Sequence, residues 1–284
     1  MYEQFYDLDR RPFMSAPDPD FLYWSSSHSS AFTMLRYGIV SRAPITVITG
    51  DIGAGKTTLI RQLLNELPEE LTVGLVSNMQ AGRGELLEWV MMALDQEIDA
   101  PSYVALFRRF QDMVIQAYAE GRRVLLIFDE AQNLGVEALE ELRMLSNINA
   151  ERDELLQIVL VGQPQLRQLI ERPELTQFSQ RISADFDLQP LSKDDVANYI
   201  DRRLEAAGAS WEIFARHTCE LIHEATGGVP RLINILCDLC LVYSYAAERK
   251  IVDDDILREF LNMAKARGIY RRFSPVRPVA SLVK

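Results

Sequence analysis

Four short apolar runs recur through the first part of the chain, at residues 45–49, 71–77, 124–128 and 155–161. Each is rich in Val, Ile and Leu without strict alternation, which is how a strand buried on both faces of a parallel sheet reads. Between them lie helical patterns. After the first run, Leu59, Ile60, Leu63, Leu64 and Leu67 repeat at helical spacing until Pro68 stops the helix. Strand and helix alternating in this way predict a doubly wound α/β domain, and a shorter fifth strand is expected at 183–188.

From Leu191 the pattern turns wholly helical. Ser192 followed by Asp195 is a capping-box signature, and Val196, Tyr199, Ile200 and Leu204 form an apolar stripe that ends at Gly208. A second helix is expected to carry Phe214, His217, Leu221 and Ala225 and to end at Gly227-Gly228. Pro230 suits the first turn of a third, with Leu232, Leu236, Leu239 and Tyr243 on one face. A fourth is expected after Asp253, carrying Ile256, Phe260 and Met263.

The two ends of the chain differ from the rest. Residues 1–27 hold three prolines and seven aromatic side chains with little periodicity. Such an arm is expected to be non-helical and to pack on the ligand site of its own domain or on a neighbouring subunit. Residues 269–284 hold two prolines, four basic residues and no acid, and read as a flexible tail. The expected organisation is therefore an arm with a first helix (1–44), an α/β domain (45–190), a small four-helix domain (191–268) and the basic tail (269–284).

Composition narrows the field. The 284 residues are 48% hydrophobic and 25% charged, so disordered, collagen-like and disulfide-scaffold chains are excluded. A formal charge of −11 argues against a protein that coats nucleic acid by bulk charge. Cys219, Cys237 and Cys240 are too few and too clustered for a secreted disulfide framework, which points to a reducing compartment. No run reaches the roughly 18 apolar residues of a membrane span, because Asn234 and Asp238 break the richest one. The N-terminus lacks the basic and apolar regions of a signal peptide. A cytoplasmic location is expected.

The segment Gly50-Asp51-Ile52-Gly53-Ala54-Gly55-Lys56-Thr57 matches G-x-x-x-x-G-K-[ST], with a buried strand before it and a helix after it. Gly50, Gly53 and Gly55 let the backbone turn so that successive N–H groups face one anion. The helix that follows, entered through Lys56, Thr57 and Thr58, aims its N-terminal dipole at the same place. Lys56 would meet the β- and γ-phosphates of ATP and the Thr57 hydroxyl a Mg²⁺ ion. A second motif, residues 124–130, ends in Asp129-Glu130 at the carboxyl edge of a buried strand, where α/β sheets bind ligands. Asp129 fits a residue that holds Mg²⁺ through water and Glu130 fits a general base. Either acid could instead cap the helix near Gly135; the catalytic reading is preferred because a glycine-rich loop is expected on a neighbouring strand. Two adjacent acids favour hydrolysis over transfer to a bound substrate.

With these motifs in place, the chain resembles AAA+ ATPases, and more narrowly the secretion-associated ATPases called general secretion pathway protein A. The resemblance rests on Phe5-Tyr6, Arg11-Pro12-Phe13, Pro17-Asp18-Pro19, Phe21-Leu22-Tyr23, His28 and Leu35-Arg36-Tyr37-Gly38-Ile39 in the arm and first helix. Asp129-Glu130-Ala131-Gln132, Val161-Gly162-Gln163-Pro164 and Gly228-Val229-Pro230-Arg231 extend it, over about residues 1–265. It implies a three-layer α/β/α P-loop domain followed by a helical lid, with ATP bound between them. It implies further that Gln163 stands at the sensor-1 position, where most relatives use a shorter Asn, Ser or Thr. Arg181 would be an arginine finger offered to a neighbour's ATP, with Arg167 and Arg172 as rivals, and Arg231 would be sensor 2. A finger acting in trans implies a homo-oligomer.

The process served is left between readings. The resemblance implies a motor or switch for protein secretion or envelope assembly, with a protein partner at the inner membrane. Relatives often continue into a membrane span and a peptidoglycan-binding domain; this chain has neither, so direct cell-wall contact is not expected. The alternatives are a DNA-dependent ATPase of the transposition target-selection type, using Arg108-Arg109, Arg122-Arg123 or the basic tail, and a nucleotide-gated signalling switch with little turnover. Weaker features read blandly. Cys237-x-x-Cys240 lies in a helix and is expected to be buried rather than to bind metal. His28 borders the base pocket by family analogy or caps the first helix, and His217 and His223 pack or face solvent. Trp89, Met91 and Met92 suit a core or subunit interface, and Glu137, Glu140, Glu141 and Arg143 a solvated or inter-subunit face.

Overall fold

In the computed structural model the chain begins with α1 (Glu3–Tyr6) and α2 (Ser26–Val40), then alternates strand and helix. The alternating part runs β1 (Ile45–Gly50), α3 (Lys56–Glu66), β2 (Leu71–Val76), α4 (Leu86–Ala93), α5 (Tyr103–Ala119), β3 (Arg123–Asp129) and α6 (Gly135–Leu145). It continues through β4 (Leu156–Gly162), α7 (Pro164–Ile170), α8 (Thr176–Ser179) and β5 (Ile182–Leu188). Four helices follow: α9 (Lys193–Ala206), α10 (Thr218–Thr226), α11 (Pro230–Ala246) and α12 (Asp254–Arg267). The structure describes residues 1–14, 21–77, 79, 85–149, 154–267 and 273. Pro17, Asp18 and Pro19 of the arm, and the tail apart from Phe273, lie outside the described residues.

Two compact units result. The first (His28–Ile52 and Lys56–Leu188) is built on a five-stranded parallel sheet in the order β2-β3-β4-β1-β5. β1 to β4 fall on the four apolar runs, and β5 falls where the shorter fifth strand is expected. Alternation along each strand explains why those runs are continuous rather than alternating. Val47, Val124, Leu126, Phe128, Ile158 and Leu160 face a core shared with Val90, Phe110, Leu139, Leu142 and Phe178 of the helices. The residues between them, Ile48, Leu125, Ile127, Val159 and Val161, are equally buried and face the other way. Both faces are covered, giving the three-layer α/β/α arrangement.

One expectation about this sheet is corrected. The strand carrying Asp129-Glu130 is not next to the strand that leads into the glycine-rich loop: β4 lies between β3 and β1. Hydrophobic patterning has no information on strand order, because every interior strand of a parallel sheet looks alike. The insertion matters, since it sets the end of β4, and therefore Gln163, between the two motifs.

The second unit (Met1–Ser27, Gly53–Gly55 and Gln189–Lys284) contains the arm and the four last helices. Its capping box is present: the Asp195 N–H donates to Ser192 Oγ at 3.2 Å and the Ser192 N–H to Asp195 Oδ2 at 3.2 Å. The second helix is shorter than the pattern predicts. It starts at Thr218, because the backbone around Phe214 pairs with Val252 instead: the Ala215 N–H donates to the Val252 carbonyl (3.0 Å) and the Val252 N–H to the Ile213 carbonyl (2.8 Å). On α11 the most buried face is Ile233, Leu236, Cys237, Cys240, Leu241 and Ser244, rotated from the predicted stripe, whose Leu232, Leu239 and Tyr243 are half-buried.

The arm also departs from expectation. Glu3–Tyr6 forms a single helical turn, and Tyr2, Tyr6, Leu8, Phe13 and Phe21 lie in the same apolar core as the helices of this unit. Tyr6 stacks on Trp211 with ring centroids 6.1 Å apart, and the Asp9 N–H donates to the Ala207 carbonyl at 2.8 Å. Arg203, 6% exposed, donates to the carbonyls of Pro12 (2.7 Å) and Met14 (3.1 Å) and to the Tyr199 hydroxyl (2.8 Å). The two polar residues that break the apolar run of α11 have work in this packing. Asn234 accepts from Tyr199 at 2.8 Å, while Asp238 accepts from Tyr2 and, at 2.8 Å, from Arg11. The aromatic arm is thus part of the helical unit's core, which is where its apolar surface is buried. Among the described residues no helix is long and apolar enough to cross a membrane.

Candidate active site

The carboxyl ends of β1, β3 and β4 carry the chemistry. After β1 the chain enters its loop, and Gly53 (φ 82°) and Gly55 (φ 104°) adopt left-handed backbone that only glycine takes without strain. Lys56, 5% exposed, opens α3, and its ammonium donates to the carbonyls of Gly50 (2.8 Å) and Asp51 (2.9 Å). Burial pushes the Lys56 ammonium below its ordinary range, against the carboxylates of Glu130, Asp129 and Asp51, which raise it. Asp51, Ile52 and Thr57 are exposed, Ala54 is buried and Thr58 is half-buried.

The Thr57 hydroxyl donates to Asp129 Oδ2 at 3.2 Å, which joins the β1 and β3 motifs directly. Asp129 Oδ1 accepts the Glu130 N–H at 2.9 Å, and burial pushes the Asp129 carboxyl above the usual range despite the bonds from Glu130 and Thr57. Two oxygens of this kind suit a hard divalent cation that keeps several waters and phosphate oxygens as its other ligands. Glu130 takes left-handed backbone (φ 56°, ψ 38°), and its side chain caps no helix. It accepts instead from Gln132 Nε2 (2.6 Å) and Gln163 Nε2 (3.0 Å), both on Oε2. Burial raises the Glu130 carboxyl, but these two amides and Lys56 outweigh it and hold the group below its ordinary value.

Gln163, just past β4, therefore reaches the carboxylate of Glu130, and its own N–H donates to Gln132 Oε1 at 2.9 Å. Gln132 was visible in the motif that carries the resemblance, but nothing in its spacing assigns it a role. A clue lay in Gly162, the last residue of a buried strand. A Cβ there would stand 2.9 Å from Gln132 Oε1, so glycine permits the close approach.

Arg181 lies elsewhere. It precedes β5, whose Ile182 pairs with Ile45 at the start of β1, while Gly50 pairs with Leu188 at the other end. Five residues of strand, roughly 17 Å at 3.3 Å each, separate that edge from the loop. There Arg181 donates to Ser146 Oγ (2.6 Å), the Arg143 carbonyl (3.4 Å) and Asn147 Oδ1. Of its rivals, Arg167 is paired with Asp185 at 2.8 Å, and Arg172 is exposed. In the helical unit, Arg231 is exposed near the start of α11, and its N–H donates to the Gly53 carbonyl at 3.2 Å.

The remaining candidates are placed as follows. His28 is buried inside α2 rather than ahead of it. His217 precedes α10, near Asp254, and His223 is half-buried. Cys237 and Cys240 are fully buried in the apolar core of the helical unit, and burial pushes both thiols well up. Met91 is core, Trp89 packs against that core and Met92 is exposed. Glu140 pairs with Arg143 at 2.9 Å, and Glu141 accepts from Tyr103 at 2.9 Å.

Comparison with known proteins bears on the fold that carries these residues. Residues 39–170 match the family model described as an AAA domain, and the fold is that of AAA+ proteins. Two solved structures share it at low identity. The ORC2 protein of Aeropyrum pernix, solved in ADPNP-ADP complexes, matches with a TM-score of 0.63 and 19% identity over 89% of this chain and 71% of its own. Drosophila ORC bound to DNA matches with a TM-score of 0.66 and 17% identity over 92% of this chain and 67% of its own. Residues 39–170 thus match an AAA domain, and the chain has the P-loop α/β fold of the AAA+ class. Within that class it resembles General secretion pathway protein A of Aeromonas hydrophila, at 38% identity over 258 residues, 90% of this chain. The chain spans about half the length of that relative, 47%.

Proposed function

We propose that this chain binds ATP with Mg²⁺ and hydrolyses it, and that it does so as an assembly of several copies supporting secretion or envelope assembly at the inner face of the membrane. The observation that carries the reading is the meeting of Lys56 and Thr57 after β1 with Asp129 and Glu130 after β3 and Gln163 after β4. The residues fit the ligands. The loop from Gly50 through Asp51, Ile52, Gly53 and Ala54 to Gly55, left-handed at Gly53 and Gly55, offers backbone N–H groups to phosphate, with Lys56 buried behind it and Thr58 in the first helical turn. Thr57 and Asp129 supply oxygens for Mg²⁺, which when bound would screen phosphate charge.

Within this frame Glu130 takes a proton from the attacking water as a carboxylate held by two amide donors. Gln163 orients it. Arg231 would read the γ-phosphate. Arg181 lies at the far edge of its own sheet, so any part it plays in hydrolysis belongs to a neighbour's site. That is the argument for an oligomer.

Turnover and binding by the Glu130→Gln variant test the reading. Nucleotide affinity should persist while hydrolysis falls by roughly 10²- to 10⁴-fold, the usual weight of a general base. Rapid turnover by the variant would remove Glu130 from the mechanism. DNA at two salt concentrations tests the process. Arg122 is held by Thr72 (2.8 Å), Arg123 by Gln157 (3.0 Å) and Arg109 by the Asp99 carbonyl, so these cations are engaged within the protein. Strong, salt-sensitive stimulation by DNA would replace the secretion reading with the nucleic-acid one.

A further inference from the structure

Gln132 stands two residues past Glu130, in the 3₁₀ turn Ala131–Asn133 between β3 and α6. Its side-chain amide is held at both ends. Nε2 donates to Glu130 Oε2 at 2.6 Å, and Oε1 accepts the backbone N–H of Gln163 at 2.9 Å. Gln163 closes the figure by donating from its own Nε2 to the same Glu130 oxygen at 3.0 Å. Three residues thus form a ring across the carboxyl edges of β3 and β4. Gly162 admits the ring, since a Cβ there would come within 2.9 Å of Gln132 Oε1 and 3.2 Å of the Gln132 backbone nitrogen.

We propose that Gln132 is the positioning residue of the catalytic carboxylate: it fixes the rotamer of Glu130 and ties that rotamer to the backbone at the end of β4. The proposal deepens the hydrolytic reading and rests on Glu130 being the base. A glutamate at a strand end samples several rotamers, and a base must sit within hydrogen-bond reach of its water for the proton to move. Two amides on one oxygen remove that freedom and leave Oε1 as the oxygen neither amide engages. The Gln163 side chain supplies one bond to the carboxylate through its Nε2. Gln132 is locked because its other end is bound to main chain. The nearby charges, Lys56 from α3 and Asp129 from β3, couple to the carboxylate without direction, whereas the amide bond is directional.

The experiment compares the full 284-residue chain with Gln132→Glu and Gln132→Met. Gln132→Glu keeps an acceptor for the Gln163 N–H but turns a carboxylate on Glu130; Gln132→Met keeps length and loses both bonds. Three quantities are read: kcat and KM for ATP, the Kd of a fluorescent ATP analogue, and the melting temperature. A positioning role predicts kcat lowered by roughly 10- to 100-fold in both variants, the effect of losing an orienting partner, with the analogue's Kd unchanged within about threefold. Either variant turning over within about twofold of wild type overturns the proposal. So does an analogue Kd that weakens in step with kcat, or a failure of both variants to fold, since each marks Gln132 as structural. A wild-type chain that binds the analogue without turning over defeats the base reading itself, and is told apart because the loss then precedes any substitution.

Discussion

Replacing Arg203 by methionine removes a charged group from the core of the helical unit while keeping the length of its stem. The guanidinium is 6% exposed and lies over the rings of Phe21 (4.9 Å) and Tyr199 (5.4 Å). Its bonds to the carbonyls of Pro12 and Met14 help fasten the arm to α9, beside those of Arg10 to the Ala206 carbonyl and Tyr23 to Asp195. A hydrogen bond from a charged donor is worth about 1.5–3 kcal/mol, so these two carry roughly 3–6 kcal/mol. Burying the charge in the first place costs several kcal/mol, and the variant recovers part of that. The net expectation is about 2–4 kcal/mol of lost stability, or roughly 10 °C in the melting temperature of a unit this size. Denaturant unfolding followed by tryptophan fluorescence measures it, because Trp24 and Trp211 both belong to the helical unit. Limited proteolysis should then cut the arm first. A loss below about 1 kcal/mol, with the arm still protected, would refute the claim that Arg203 helps hold it.

Two further outcomes follow from the site. Lys56→Ala should lose most nucleotide affinity in a binding titration, since the buried ammonium stands beside the loop that would receive the phosphates; near-native affinity would count against that placement. Mixing Arg181→Ala with Glu130→Gln should restore some turnover that neither variant has alone, because one contributes an intact base and the other an intact arginine. Absence of restoration, with mixed assemblies verified by size, would take Arg181 out of the neighbour's site.

Much of this protein was legible along the chain. Most strands of the sheet announce themselves as unbroken apolar runs, and the four such runs match β1 to β4 to within a residue or two, while β5, with Asp185 and Asp187 in it, carries no such run. The loop from Gly50 to Thr57 was equally plain, because the residues that bend a backbone around an anion are contiguous. Ser192 and Asp195 predicted their cap because both partners lie within one turn. Structure departs from local pattern where a distant partner decides the outcome. The helix expected through Phe214 starts late because Val252 takes its backbone groups, and the buried face of α11 is rotated by what packs on it.

The sequence by itself determined what is local: where strands and helices form, the glycine loop, the acid pair at the end of an apolar run. Each depends on residues a few positions apart, so periodicity and spacing record it. Tertiary structure alone decided strand order, the seat of the arm, and which side chains meet. Placing β4 between β3 and β1 brings Gln163 onto Glu130, residues 33 positions apart in the chain, and closes Gln132 around them both. The same holds for the arm, whose aromatic rings could have packed on any apolar surface until Arg203, 191 residues from Pro12, bound its carbonyl. Hydrogen bonds between remote residues leave no period in a sequence, because their geometry exists only once the backbone has been laid out in space.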